Sequence, residues 1–111
     1  MKPDLASKAP DFAAMYASAD RACGLLKVLA NPDRLVLLCR LAGGECCVSD
    51  LEASLDIRQP TLSQQLAVLR EEGLVSTRRE GKHIYYRVTS PESIAILHAL
   101  QEQFCEQPRG R

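Results

Sequence analysis

Two groups of residues in this chain have side chains that could do chemistry. The first is a set of five cysteines, Cys23, Cys39, Cys46, Cys47 and Cys105. Thiolates are nucleophiles toward sulfur and soft ligands toward thiophilic ions, so oxidation or metal capture is the chemistry on offer. An odd count fits a secreted disulfide scaffold poorly, and in a reducing compartment all five are expected to be free thiols. The second group is a run of neutral hydrogen-bonding side chains, Gln59, Thr61, Ser63, Gln64 and Gln65, followed by Arg78, Arg79, Lys82, His83 and Tyr85. Amides and hydroxyls suit the edges of base pairs, while guanidinium and ammonium groups suit phosphate. Solubility alone would favour Lys and Glu on such a face. The second group points to double-stranded DNA.

The flanking sequence positions these side chains. Pro60 suits the first turn of a helix, and Gly73 suits the left-handed residue just past its end. Between them Leu62, Leu66 and Leu69 form one apolar stripe, which leaves the polar run on the opposite face. Leu74–Arg79 and His83–Val88 alternate as strands joined by Glu80-Gly81-Lys82, a two-stranded wing with a basic tip. Upstream, Ser49 with Glu52 reads as a capping box opening a short helix through Leu55, with Val48, Leu51 and Leu55 on its buried side. Asn31-Pro32 starts a helix that runs to about Ala42 before Gly43-Gly44. Phe12, Met15, Tyr16, Ala19, Cys23, Leu26 and Leu29 mark a long first helix. Ser90-Pro91 opens a last one with Ile94, Leu97, Leu100 and Phe104 on its stripe. The sum is a mainly α winged helix-turn-helix: four helices, a β-hairpin, then a fifth helix. Wide apolar stripes on the first and last helices predict a homodimer that presents two recognition helices to a two-fold operator. One domain over 11–106 is expected, with tails at 1–10 and 107–111.

Composition narrows the classes further. Charges balance to zero overall, yet Arg58, Arg70, Arg78, Arg79, Lys82 and Arg87 make the DNA-facing segment basic, while acid gathers at 45–56 and 102–106. No apolar run is long enough for a membrane span and no signal-peptide core is present, so a cytoplasmic protein is expected. A cysteine with His98 lacks a third orienting group and an oxyanion loop, which argues against an enzyme, and no cofactor is implied. A winged module that binds only protein would have no use for the polar face and the basic wing together.

The segments LKVLANPDRLVLL, CVSDLEASLDIRQPTLSQQLAVLREEGLV and RREGKHIYYRV, in this order, resemble the ArsR/SmtB family of bacterial transcriptional repressors over about three quarters of the chain. The resemblance implies a homodimer that leaves its operator when an inducer binds or modifies it. It also implies DNA contacts from the fourth helix (Gln59, Thr61, Ser63, Gln64, Gln65) and the wing (Arg78, Arg79, Lys82, His83, Tyr85). Tyr85 or Tyr86 must turn inward, and Arg79 and Lys82 would meet phosphate.

Two inducer classes follow from the resemblance. Many members hold arsenite, Zn or Cd through a CVC motif at the start of the third helix. Here Cys47 matches its first cysteine, Ser49 replaces the second and Cys46 is merely adjacent, so the soft chelate is broken. The metal site built from Asp and His pairs on the last helix finds only His98. The chain is more similar to the BigR/SqrR-type branch, which senses persulfides with one cysteine late in the second helix and one near the end of the last. Cys39 and Cys105 match those positions. A thiolate there would take a sulfane sulfur and its partner would attack the product, with extra sulfur atoms spanning any wide gap. Cys23, on an apolar stripe, reads as core.

Overall fold

The computed structural model describes residues 11–105; the expected tails at 1–10 and 107–111, and Glu106, lie outside them. Helix α1 spans Phe12–Leu29, and Asp11 caps it by accepting the Ala14 N–H at 3.1 Å. Helix α2 spans Pro32–Ala42 as its signals required: the Asn31 side chain accepts the Arg34 N–H at 3.0 Å, and Pro32 fills the first turn. Leu37, Leu38 and Leu41 of α2 are buried.

A short strand β1, Cys46–Cys47, comes next and was not foreseen. It hydrogen-bonds to a strand far along the chain, and two residues carry no alternation to read. Helix α3 follows at Val48–Ser54, with its cap two residues before the expected capping box. Cys47, not Ser49, is the capping position, and the Asp50 carboxylate accepts the Cys47 N–H at 3.2 Å. The strand runs directly into the helix, so pairing of β1 fixes where α3 begins.

Helix α4 spans Thr61–Glu71, with Leu62, Leu66 and Leu69 fully buried. Truncating one of them to Ala removes transfer energy and leaves a cavity, a loss of about 2–5 kcal/mol. Pro60 stands just outside the helix, one position earlier than expected. Its missing side-chain acceptor is supplied by Gln59, whose Oε1 takes the Ser63 N–H at 3.3 Å. The exit is sharp. Gly73 has φ +79°, its N–H bonds Arg70 O at 3.1 Å, and the Leu74 N–H reaches back to Leu69 O at 3.0 Å. That double closure requires a left-handed residue, which glycine adopts without strain.

Strands β2 (Val75–Glu80) and β3 (His83–Val88) form the wing, and Gly81 at the tip has φ +64°. Leu74, expected in the first strand, belongs to the turn instead. The sheet is antiparallel in the order β1-β3-β2, with Cys47, Tyr85 and Arg78 in one row and Cys46, Tyr86 and Thr77 in the next. Helix α5, Pro91–Phe104, is capped by Ser90, which accepts the Ser93 N–H at 3.1 Å. The architecture is a winged helix-turn-helix. No helix of the described residues is long and apolar enough to cross a membrane.

One core unites α2, α3, α4, the base of the wing and Leu97 of α5. Helix α1 joins it toward its C-terminal end, through Val28, Leu29 and the partly buried Leu25. The rest of its stripe faces outward: Phe12 is 64%, Tyr16 72% and Leu26 51% exposed, and Phe104 on α5 reaches 79%. Cys23, expected in the core, is exposed with them.

Candidate nucleic-acid interface and thiol pair

Gln59, expected on the recognition helix, lies in the turn before it, and it and the four polar residues of α4 fall into two groups. Thr61 and Gln64 make no side-chain hydrogen bond among the described residues. Three others are held. Gln59 Oε1 accepts both the backbone N–H and, at 2.6 Å, the hydroxyl of Ser63. Gln65 Oε1 accepts from the Arg34 guanidinium at 2.9 Å. Arg34 also donates to Val28 O at 2.7 Å and Lys27 O at 3.4 Å. It ties the end of α1 and the start of α2 to α4. Sequence reading did not single out Arg34; its only signal was a lone cation among the apolar residues that open α2.

The wing divides in a similar way. Arg79, Lys82 and His83 are exposed at its outer end. Arg78 is engaged: its Nε and NH2 clasp both oxygens of Glu45 at 2.6–3.0 Å, and its NH1 reaches Glu80 at 2.6 Å. Its guanidinium also lies 4.8 Å from the Tyr85 ring centre. The Arg78 guanidinium holds the Glu45 carboxyl below its ordinary pKa. Glu45 precedes β1, so this contact braces the wing against the connection from α2. The acidic and basic segments that the sequence kept apart meet here, and part of the expected positive face is neutralised. Tyr86 is the inward tyrosine, packed on the core.

The cysteines fall into three situations. Cys46 and Cys47 are both buried, at 1% and 5% exposure. As consecutive strand residues they leave the backbone on opposite faces. Cys46 enters the core, with its sulfur 3.6 Å from Gly44 O, and burial pushes its thiol up against the opposing pull of Arg40. Cys47 lies 3.3 Å from the Ser49 hydroxyl. The two sulfurs do not converge, and no three of the described His, Cys, Asp and Glu residues gather as a metal would require. Asp50 is held below its ordinary pKa, first by the Cys47 N–H.

Cys39 and Cys105 behave differently. α2 packs against α5, and Cys39 is half-buried at that contact while Cys105 is exposed at the end of α5. Burial raises the Cys39 thiol; the neighbouring Gln101 carboxamide opposes this, and charge on Cys105 adds to the rise. Gln101 lies one helical turn before Cys105, and the Cys105 N–H bonds its carbonyl at 3.1 Å. The fold therefore puts both thiols on one flank of the α2–α5 contact.

Comparison with known proteins agrees with this architecture. The family described as "Bacterial regulatory protein, arsR family" matches residues 31–77. The biofilm growth-associated repressor of Agrobacterium fabrum is 55% identical over 92 residues, 83% of this chain and 79% of that protein. The crystal structure of the transcriptional repressor BigR from Xylella fastidiosa superposes with a TM-score of 0.80 at 46% identity, covering 88% of this chain and 100% of that one. A homodimeric winged helix-turn-helix DNA-binding domain from Mycobacterium bovis, studied in solution, gives a TM-score of 0.65 at 31% identity, covering 91% and 94%.

Proposed function

The chain belongs to the arsR family of bacterial regulatory proteins, and from that premise we propose that reactive sulfur releases it from its operator through Cys39 and Cys105. As a member it is a DNA-binding transcriptional repressor and not an enzyme. The observation that carries the finer reading is the shared position of the two thiols at the α2–α5 contact, one exposed and one half-buried. Exposed Cys105 meets the sulfane donor first. Its thiolate attacks, an S–S bond of the polysulfide breaks, and the shorter polysulfide leaves with the electron pair. Cys105 is then a persulfide. The Cys39 thiolate attacks the Cys105 sulfur, expels hydrosulfide and closes a disulfide. If the adduct is one sulfur longer, attack at its second sulfur expels hydrosulfide and leaves a trisulfide bridge, which suits a wider separation.

The working unit is a cytoplasmic homodimer. Phe12, Met15, Tyr16, Leu26 and Phe104 form apolar faces on α1 and α5 that a single protomer leaves in water, as expected of an association surface. The homodimeric relative supports this assembly. A bridge from α2 to α5 acts on one of those helices, and so on the spacing of two recognition helices. A coupling of about 1–3 kcal/mol is enough to weaken DNA binding several-fold to a hundredfold. Bases are read by Gln59, Thr61, Ser63, Gln64 and Gln65, and phosphate is met by Arg79 and Lys82, with His83 and Tyr85 beside them. Arg78 serves mainly as the brace to Glu45.

The test uses duplexes enriched from a random-sequence pool by the reduced protein. Cys39→Ser and Cys105→Ser should each bind these duplexes like wild type and fail to release them when sodium tetrasulfide is added. Normal release by either variant shows the pairing to be wrong.

A further inference from the structure

Gln65 is held in a way that dictates what it can read. A guanidinium has five donors and no acceptor, so the carboxamide facing Arg34 can only present its oxygen to it. The 2.9 Å contact from Arg34 NH1 to Gln65 Oε1 therefore turns the Gln65 amino group away from Arg34. A free glutamine pairs with adenine by donating to N7 and accepting from N6 at once. That bidentate contact needs the oxygen and the amino group side by side at the base edge, and here the oxygen is turned toward Arg34. Arg34 itself is anchored by Val28 O at 2.7 Å and Lys27 O at 3.4 Å, and its backbone N–H is bonded to Asn31. The clamp is thus fixed to the junction of α1 and α2 rather than to mobile surface.

We propose that Arg34 is a specificity-positioning residue: it fixes Gln65 of the recognition helix as a donor only, selecting a base acceptor at the pair that Gln65 faces. The acceptors available in the major groove are guanine O6 and N7, adenine N7 and thymine O4, so the base that a donor-only Gln65 disfavours is cytosine. Arg34 touches no base. It acts through Gln65, and its effect is confined to one position in each half-site. The inference rests on the DNA-binding role of α4 and adds to it a direction of readout.

The experiment starts from duplexes enriched out of a random-sequence pool by the reduced wild-type homodimer. Each operator position is then substituted in turn, and relative affinities are measured for wild type, Gln65→Leu, Gln65→Glu, Arg34→Met and Arg34→Lys. Gln65→Leu should lose about fivefold discrimination at one position per half-site, the lower end expected of a single base contact. Arg34→Met should lose it at the same position, and the double variant should lose no more than Gln65→Leu alone. Gln65→Glu keeps an acceptor for Arg34 and turns an acceptor outward, so preference at that position should move toward cytosine, whose edge offers an amino group and no acceptor. Arg34→Lys, a donor without the fork, should fall between wild type and Arg34→Met.

Gln65→Glu and Gln65→Leu leave the α1–α2 anchor intact, so they answer the question even where Arg34→Met unfolds. Unchanged base preference in both Gln65 variants overturns the inference. So does an Arg34→Met that folds and weakens every duplex by one common factor. If the wild-type protein enriches no duplex at all, the DNA-binding role fails and this inference falls with it.

Discussion

Cys46 and Cys47 are neighbours in sequence that point to opposite faces of a strand, whereas Cys39 and Cys105 are far apart in sequence and share one flank of the α2–α5 contact. The first pair is buried, with its sulfurs sent to opposite faces by the alternation of a strand. The second joins an exposed thiol to a half-buried one. Chemistry between two thiols needs access, and only the second pair includes an exposed thiol. What decides between them is the local backbone. A two-residue strand splits adjacent cysteines, and the packing of two helices unites distant ones.

The largest effect that could break this comparison is loss of the response itself. Cys105→Ser or Cys39→Ser should abolish a release that, in wild type, lowers operator affinity several-fold to about a hundredfold. Cys46→Ser and Cys47→Ser should leave that release in place; fluorescence anisotropy with tetrasulfide added would show it. A Cys46 or Cys47 variant that no longer responds would reverse the assignment.

Next in size is a pH effect on bridge closure. Burial raises the Cys39 thiol above its ordinary value, so near neutral pH its reactive thiolate is scarcer than in a free cysteine. Below its pKa that fraction gains about tenfold per pH unit. After excess polysulfide is removed, closure of a persulfidated Cys105 onto Cys39 should therefore accelerate from pH 7 to pH 9. The open persulfide should accumulate at the lower pH. Quenched mass spectrometry resolves the two species, and a pH-independent closure rate would contradict the assignment of Cys39 as the resolving thiol.

Stability should separate the pairs in the opposite sense. Cys46→Ser places a hydroxyl in the core, near the Gly44 carbonyl and Arg40. The cost should be about 1–3 kcal/mol by urea unfolding. Cys105→Ser, at an exposed helix end, should cost less than about 0.5 kcal/mol. The smallest effect concerns Glu45, which adjoins the buried pair. Glu45→Gln removes one of the two carboxylate charges that hold Arg78 and leaves Glu80, which makes the cation more available to phosphate. DNA affinity should rise modestly, and its dependence on salt should steepen by about one counterion. Unchanged salt dependence would mean that Arg78 stays engaged without Glu45.

Much of the fold could be read because its signals are local. Asn31-Pro32, Ser90-Pro91, the Leu62–Leu66–Leu69 stripe and Gly73 each act within one or two turns, and each does what its chemistry implies. Strand β1 escaped because its partners lie on β3, and its pairing moved the start of α3 away from the apparent capping box at Ser49. The apolar stripe of α1 was visible as a pattern, but Cys23 shows that a stripe does not say what covers it. Of the candidate sites, residue types were legible and engagements were not. Nothing near Gln65 announces Arg34, and nothing near Arg78 announces Glu45, because both contacts cross between elements. The match of Cys39 to Cys105 came from family resemblance; no spacing rule links a residue of α2 to the end of α5.

The central claim is that reactive sulfur joins Cys39 to Cys105. Its most direct test is the intact mass and cysteine-peptide map of the reduced protein after treatment with tetrasulfide and, separately, with Zn(II) or As(III). The expected result is a Cys39–Cys105 crosslinked peptide pair, as a disulfide or carrying added sulfur, with Cys46 and Cys47 still alkylatable after unfolding. Free Cys39 and Cys105 after tetrasulfide, together with stoichiometric metal or arsenic held by Cys46 or Cys47, would contradict it.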